Sequence, residues 1–268
     1  MTEQAAAVLI PEKDQRELLR RTTVGAALIL LALGDLWLGG VWFWVLVALA
    51  AVLMMGEWAE LVKEGRAKGR AQIVMALIML PIIPLPQTGG VELHDITILG
   101  GGALLLALIA RSVRLALGLI YTGLPALALI YIRELDFGHL LAMWTLSLVW
   151  ATDIGAYFVG RAIGGPKLAP RISPNKTWAG LGGGVLGAIA CGLSFYAFDR
   201  LPLWMALASG VLALVAQAGD LFESWLKRRA GVKDSGTLLP GHGGVLDRLD
   251  GLVPVAPLVA AGWYWWLL

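Results

Sequence analysis

A single cysteine, Cys191, stands in 268 residues. That excludes an intramolecular disulfide and any cysteine-based zinc site. Its surroundings are apolar and glycine-rich, so it reads as a small packing residue. Charge is the next shortage: 15% of the residues carry it, against about a quarter in an average soluble domain. A cleavable leader is not visible either. Residues 1–21 are mixed polar and charged, the apolar run starts only at Val24, and no short apolar stretch ends in a small-residue cleavage site. Gln15 to Arg21 read instead as a basic, partly amphipathic lead-in at a membrane surface. No internal repeat is visible.

What fills the chain is apolar length. Hydrophobic residues make up 58%, and the mean hydropathy is +0.76. The excess lies in long runs, which a bilayer solvates and water does not. With about 17–25 residues per helical span, the pattern predicts an all-α, polytopic transmembrane helical bundle of about nine spans. They fall near 23–39, 41–62, 71–86, 96–110, 114–132, 139–160, 178–198, 201–226 and 246–268. The first and third are short, and Asp35 interrupts the first. Turn signals separate them, among them Gly39-Gly40, Pro84-Leu85-Pro86 with Gly89-Gly90, and Gly164-Gly165-Pro166. Several tryptophans, such as Trp37, Trp42, Trp144 and Trp265, fall near span ends, as an aromatic belt would.

Positive charge supports the count. Nine spans with the N-terminus cytoplasmic and the C-terminus outside leave only Arg133 and Arg200 on the outer side. Each missed helix would flip everything after it, so this sorting predicts N-in, C-out. The organisation is then a cytoplasmic lead-in over 1–22, N-terminal helices over 23–138 and a catalytic transmembrane region over 139–268.

Two cytoplasmic segments carry more than linker chemistry. In the first, Asp153 lies inside a predicted span, where a charge costs at least ~2.5 kcal/mol unless it meets a cation or water. Gly155 and Gly160 permit close helix packing or ligand approach. Further on, Ser173-Pro174 fits an N-cap followed by proline at the first helical position, which would aim free N–H groups, with Lys176 and Thr177, at an anion. A basic loop that only sets topology is the plainer account of this stretch.

In the second segment Asp220, Glu223, Ser224 and Lys227 share one helical stripe, and Asp247 and Asp250 share another. Two acidic stripes flanking a glycine-rich basic loop can converge on a hard divalent cation, and Mg²⁺ suits oxygen ligands plus phosphates. Lys227, Arg228, Lys233, His242 and Arg248 lie between, and Gly241, Gly243 and Gly244 leave backbone N–H groups open around His242. Metal, cations and bare backbone together suit a triphosphate. An ion-paired loop capping a bundle is the alternative. Intramembrane carboxylates at helical spacing are expensive to keep without a task.

These residues resemble a known pattern. Ser224-x-x-Lys227-Arg228, Lys233-Asp234, His242-Gly-Gly and Asp247-Arg248-x-Asp250 look like the signature of the phosphatidate cytidylyltransferases (CDP-diacylglycerol synthases). Ser173-Pro174-x-Lys176-Thr177 looks like that family's second motif. The match covers roughly residues 150–251. Ala179 departs from it, since the family usually carries an acidic residue there.

The resemblance implies that CTP and phosphatidate give CDP-diacylglycerol and pyrophosphate, by metal-assisted in-line attack of the lipid phosphate on the α-phosphorus. It implies catalytic roles for Asp220, Lys227, Asp247 and His242, and metal binding by Asp220, Asp247, Asp250 and Asp153. Substrate contacts are implied for Lys167, Ser173, Asn175, Lys176, Thr177, Ser224, Arg228, Lys233, Gly243, Gly244 and Arg248. Mg²⁺ is the implied cofactor, with room for a second cation. The partners are the two substrates and membrane lipids, with no nucleic acid, and a homo-oligomer stays open. The setting is the inner (plasma) membrane, with the site at its cytoplasmic face. Two other functions use the same features: an ion-coupled transporter, in which Asp153, Asp220 and Lys227 line a pathway, and a cytidylyltransferase for a prenyl-ether lipid. Against the transporter stands the crowding of functional residues at one face.

Overall fold

The computed structural model describes residues 12–84, 91–199, 201–239, 241 and 243–267, of which 12–21, 199 and 267 by backbone alone. Ten α-helices run in chain order among the described residues. They are α1 (Glu12–Leu38), α2 (Gly40–Leu61), α3 (Lys68–Met79), α4 (Leu93–Ala110), α5 (Val113–Glu134), α6 (Gly138–Ile163), α7 (Trp178–Asp199), α8 (Leu203–Ala230), the single turn α9 (Leu246–Leu249) and α10 (Leu252–Leu267). Apart from α9, each occupies one of the nine apolar segments. Six are long and apolar enough to cross a membrane: α2 and α4 to α8. The chain is therefore a polytopic helical membrane protein.

Local chemistry explains where helices stop. Asp35 does not interrupt α1, which continues to Leu38 and turns at Gly39 and Gly40, both at positive φ. The third segment is α-helical only to Met79, followed by a 3₁₀ turn over Leu80–Ile82. Pro81 has no N–H to carry the α-helix further. Twelve residues rise about 18 Å, short of the roughly 30 Å hydrocarbon layer. The expected turn at Leu85 to Gly90 lies outside the described residues, as do the side chains of the basic lead-in.

Contacts between helix ends fix an up-and-down arrangement. At one end the Lys68 ammonium meets Glu60 at 2.5 Å, joining the start of α3 to the end of α2. Arg70 donates to Ile109 O at the end of α4, and Ser112, just before α5, donates to Glu64 beyond α2. At the opposite end Arg133 of α5 donates to Leu36 O of α1, and Trp44 of α2 to Met79 O of α3. Trp204 and Trp266 pair the start of α8 with the end of α10 there. Among the described side chains every Lys and Arg sits at the first end except Arg133. Single-sided positive charge is what the membrane rule requires.

Helices α6 and α7 touch backbone to backbone. A Cβ at Gly155 would fall 2.4 Å from Gly183 O, and one at Gly180 2.9 Å from Ala156 O. Gly155 and Gly160 therefore serve helix packing, the small-residue mode of membrane interfaces. Trp144 ties α6 to α8 by donating to Ser209 Oγ in the buried core.

One expectation fails. Ser173–Thr177 is not the start of a helix but a strand, β2, paired antiparallel with β1 (Lys167–Ala169), Lys167 opposite Thr177 and Ala169 opposite Ser173. The helix α7 begins at Trp178, and its N-cap is Thr177, whose Oγ1 accepts from Gly180 N at 3.0 Å. Ser173-Pro174 satisfies the local helix-start rule. Pairing with β1, across the turn at residues 170–172 that Ile172 N closes by donating to Ala169 O, overrides it. The bundle thus carries one two-stranded hairpin among its helices.

Candidate active site

The expected residues gather at the cation-rich end, where α6 and α8 finish and α7 and α10 begin. The last turns of α8 place Asp220, Glu223, Ser224 and Lys227 on one stripe, as helical spacing requires. Lys176, on β2, reaches Asp220 Oδ2 at 2.5 Å and Gln217 Oε1 at 2.9 Å. Gln217 in turn donates to Asp153 Oδ1 at 3.3 Å. Asp153 of α6 is thereby joined to α8 and the hairpin. Ser224 donates to Asp220 Oδ1.

Lys227 bridges to the second stripe. Its ammonium lies 2.6 Å from Asp247 Oδ1 and 3.4 Å from Glu223 Oε2, and all three side chains are nearly buried. Asp250 neighbours Glu223 and lies within electrostatic reach of Asp220 and Asp153. Both Glu223 oxygens are buried without a well-aligned donor. Asp153, Asp220, Glu223 and Asp250 form a carboxylate cluster with fewer donors than its charge calls for.

Asp247 differs. Its Oδ2 accepts from Ser235 N at 2.7 Å and Gly244 N at 2.8 Å, Oδ1 holds Lys227, and the single Ser235 hydroxyl hydrogen is shared between Oδ2 at 2.9 Å and Glu57 Oε2 at 3.0 Å. Three bonds and a shared hydroxyl occupy this carboxylate, so as a metal ligand Asp247 would first have to give up partners.

The glycines also change role. Gly244 N–H is spent on Asp247, so it does not stand open to a phosphate. A Cβ at Gly244 would fall 2.3 Å from Ser235 Oγ and 2.5 Å from Glu57 Oε1, and one at Gly243, which has φ +81°, 2.6 Å from Asp247 Oδ2. Both positions need glycine to let carboxylates approach the loop. Arg228 binds Ile172 O and Val232 O, lashing the hairpin to the end of α8. Lys167, Asn175, Lys233 and Arg248 are exposed around the cluster, and Ser173 is half-buried in β2. His242 lies outside the described residues.

Glu57, one of the scattered N-terminal features that resemble the family, gains a role here that the sequence does not assign. This buried residue of α2 accepts from Val245 N and Leu246 N, both at 2.8 Å, and shares the Ser235 hydroxyl, 3.0 Å away, with Asp247. It fastens the loop before α9 to the N-terminal helix α2. Its signal was a carboxylate inside an apolar run, the same one that singled out Asp153. Gln217, between Lys176 and Asp153, had no comparable signal.

Among the described residues no three His, Cys, Asp or Glu side chains already stand at metal-ligand spacing. The donor chemistry of the cluster nevertheless fits a hard divalent cation, which takes carboxylate oxygens and phosphates. Glu223 has neither oxygen on an aligned donor, Asp153 takes one bond from Gln217 and Asp250 one from Gly251 N, whereas Asp220 holds Lys176 and Ser224 on its two oxygens.

The model of the Cytidylyltransferase family matches residues 19–265. Among curated proteins, a phosphatidate cytidylyltransferase of Brucella suis biovar 1 is 43% identical over 228 residues, 83% of this chain and 84% of that protein. One of Pseudomonas aeruginosa is 36% identical over 266 residues, 91% of this chain and 98% of that protein. The chain is a member of the cytidylyltransferase family, and the fold and site described above belong to a membrane-embedded enzyme of that class. The resemblance read from the C-terminal motifs extends through the N-terminal helices as well.

Proposed function

We propose that this enzyme joins CTP to phosphatidate, giving CDP-diacylglycerol and pyrophosphate, at the cytoplasmic face of the inner membrane. The observation that carries the reading is the Lys176–Asp220 and Lys227–Asp247 pairing around a donor-poor carboxylate cluster, at the one end of a membrane bundle where the cations collect. A soluble triphosphate and a lipid phosphate can both reach such a place. The names of the relatives support the choice of lipid and nucleotide.

In this reaction a phosphate oxygen of the lipid forms a bond to the α-phosphorus of CTP, and the bond from that phosphorus to the bridging oxygen breaks. Pyrophosphate leaves with the electron pair. The nucleophile is already an anion, so no general base is required and catalysis rests on alignment and charge neutralisation. Lys176, Lys227 and Arg248 supply positive charge for the phosphates, while Arg228 and Gln217 hold the hairpin and Lys176 in place. Mg²⁺ held by Asp220 with Asp153 and Asp250 would add Lewis-acid neutralisation of the phosphoryl oxygens. Asp247 and Glu57 hold the loop that carries Gly243 and His242. The topology in this reading is nine membrane segments, N-in and C-out, with α3 as the short one.

The test is pyrophosphate release by the purified protein in detergent, with a nucleotide panel and with or without phosphatidate. Release with CTP that depends on phosphatidate and Mg²⁺ is expected. Equal turnover with ATP or GTP, or release without lipid, contradicts the reading.

A further inference from the structure

On the lipid-facing side of the bundle, between α2, α5 and α8, lies a groove of about 490 Å³. Its size falls in the range of small-ligand sites, roughly 300–1,000 Å³. Trp58, Phe222 and Trp225 supply its aromatic wall, and Lys63, Arg114 and Arg229 stand among its lining residues at the cation-rich end. No acidic side chain is among them. The Arg229 guanidinium lies 5.4 Å above the Trp225 ring, so aromatic surface and positive charge meet at one lip. Arg114 is set by its neighbours: its carbonyl accepts from Trp58 Nε1 at 2.9 Å, and its side chain reaches Val62 O.

The wall separates the groove from the carboxylate cluster by one layer of rings. Tyr121 packs on Trp58 with centroids 5.0 Å apart and on Phe222 at 5.4 Å. Its hydroxyl is buried with no hydrogen-bond partner, and it lies within electrostatic reach of Glu223 and Asp250. Phe222 faces the groove while its chain neighbour Glu223 is fully buried on the cluster side. On this side Tyr121, Trp58 and Phe222 stand between the groove and the carboxylate cluster.

We propose that this groove is the receiving site for the lipid substrate, seating a phosphate-monoester lipid with its chains against the aromatic wall and its phosphate among Lys63, Arg114 and Arg229 before the phosphate passes to the cluster. The proposal rests on the phosphatidate reading of the site. It commits to that lipid because three cations without a carboxylate complement a headgroup that carries up to two negative charges. An apolar floor without cations would have suited any lipid.

The experiment places a photo-crosslinking amino acid at Leu117, an exposed residue of the groove. A second protein carries it at Leu105 of α4, exposed to lipid at similar depth but away from the groove. Both are reconstituted in vesicles of phosphatidylcholine, phosphatidylglycerol and phosphatidate, and the adducts are identified by mass. Capture enriched at least fivefold in phosphatidate at 117 and unselective at 105 is expected. Equal capture of phosphatidylglycerol and phosphatidate at 117 means a general anionic lipid contact and overturns the proposal. In parallel, the double variant Arg114→Gln/Arg229→Gln should raise the KM for phosphatidate five- to tenfold and leave the KM for CTP unchanged. An unchanged phosphatidate KM also overturns it. Product formation by the unaltered protein in the same vesicles separates the two readings. A protein that makes CDP-lipid but captures nothing selectively at 117 sinks the groove, and one that makes none sinks the function.

Discussion

The loop between α8 and α9 and the helix ends beneath it treat carboxylates in opposite ways. In the loop region Glu57 accepts from two backbone N–H groups, Asp247 from two more and from Lys227, and the Ser235 hydroxyl is shared between the two carboxylates. Beneath it Asp153, Asp220, Glu223 and Asp250 crowd together, and the Glu223 oxygens have no aligned donor. A carboxylate saturated by backbone N–H groups fixes a chain in place. Buried carboxylates that repel one another are held for something that neutralises them, such as a cation. The comparison assigns scaffold to one set and chemistry to the other.

Four substitutions sharpen or break it. Asp220→Asn should lower turnover at least a hundredfold, about 2.7 kcal/mol of lost transition-state stabilisation, while the protein still inserts and its thermal midpoint holds. Activity within tenfold of wild type would remove Asp220 from the chemistry. Asp247→Asn leaves Lys227 without its closest partner in a nearly buried pair, and breaking such a pair costs about 3 kcal/mol. Its main signature should be a lower thermal midpoint that added Mg²⁺ does not restore. Glu57→Gln keeps the size of the side chain but gives up a charged acceptor, for about 2 kcal/mol. Hydrogen exchange should quicken at the Val245 and Leu246 amides, and unchanged protection there would contradict the fastening role. Thr177→Ala removes the cap of α7 and should cost about 1 kcal/mol, read as a small drop in thermal midpoint with turnover mostly retained.

Much of the fold is legible in the sequence because lipid imposes long apolar runs and sorts positive charge, and both leave plain marks. The stripes of α8 and α9 are legible for a similar reason: helical period puts Asp220 with Lys227, and Asp247 with Asp250, without knowledge of tertiary structure. The start of α7 is not. Ser173-Pro174 obeys a local rule, and only the pairing of Lys167 with Thr177 and Ala169 with Ser173 decides against it. The roles of Gly243 and Gly244 were hidden likewise. Bare backbone suits a phosphate as well as a neighbouring carboxylate, and at Gly244 that neighbour is Glu57, nearly 190 positions away in the chain. Glu57 was within reach of the argument applied to Asp153, since both place a charge inside an apolar run.

The most direct test of the division between scaffold and chemistry is metal binding without turnover. Mn²⁺ binding to the purified protein can be followed by electron paramagnetic resonance, with Mg²⁺ as competitor. Wild type should bind Mn²⁺ in a form that Mg²⁺ displaces, Asp220→Asn should lose at least tenfold in affinity, and Asp247→Asn should bind nearly as wild type does. Loss of binding in Asp247→Asn with retention in Asp220→Asn would reverse the assignment and contradict the account.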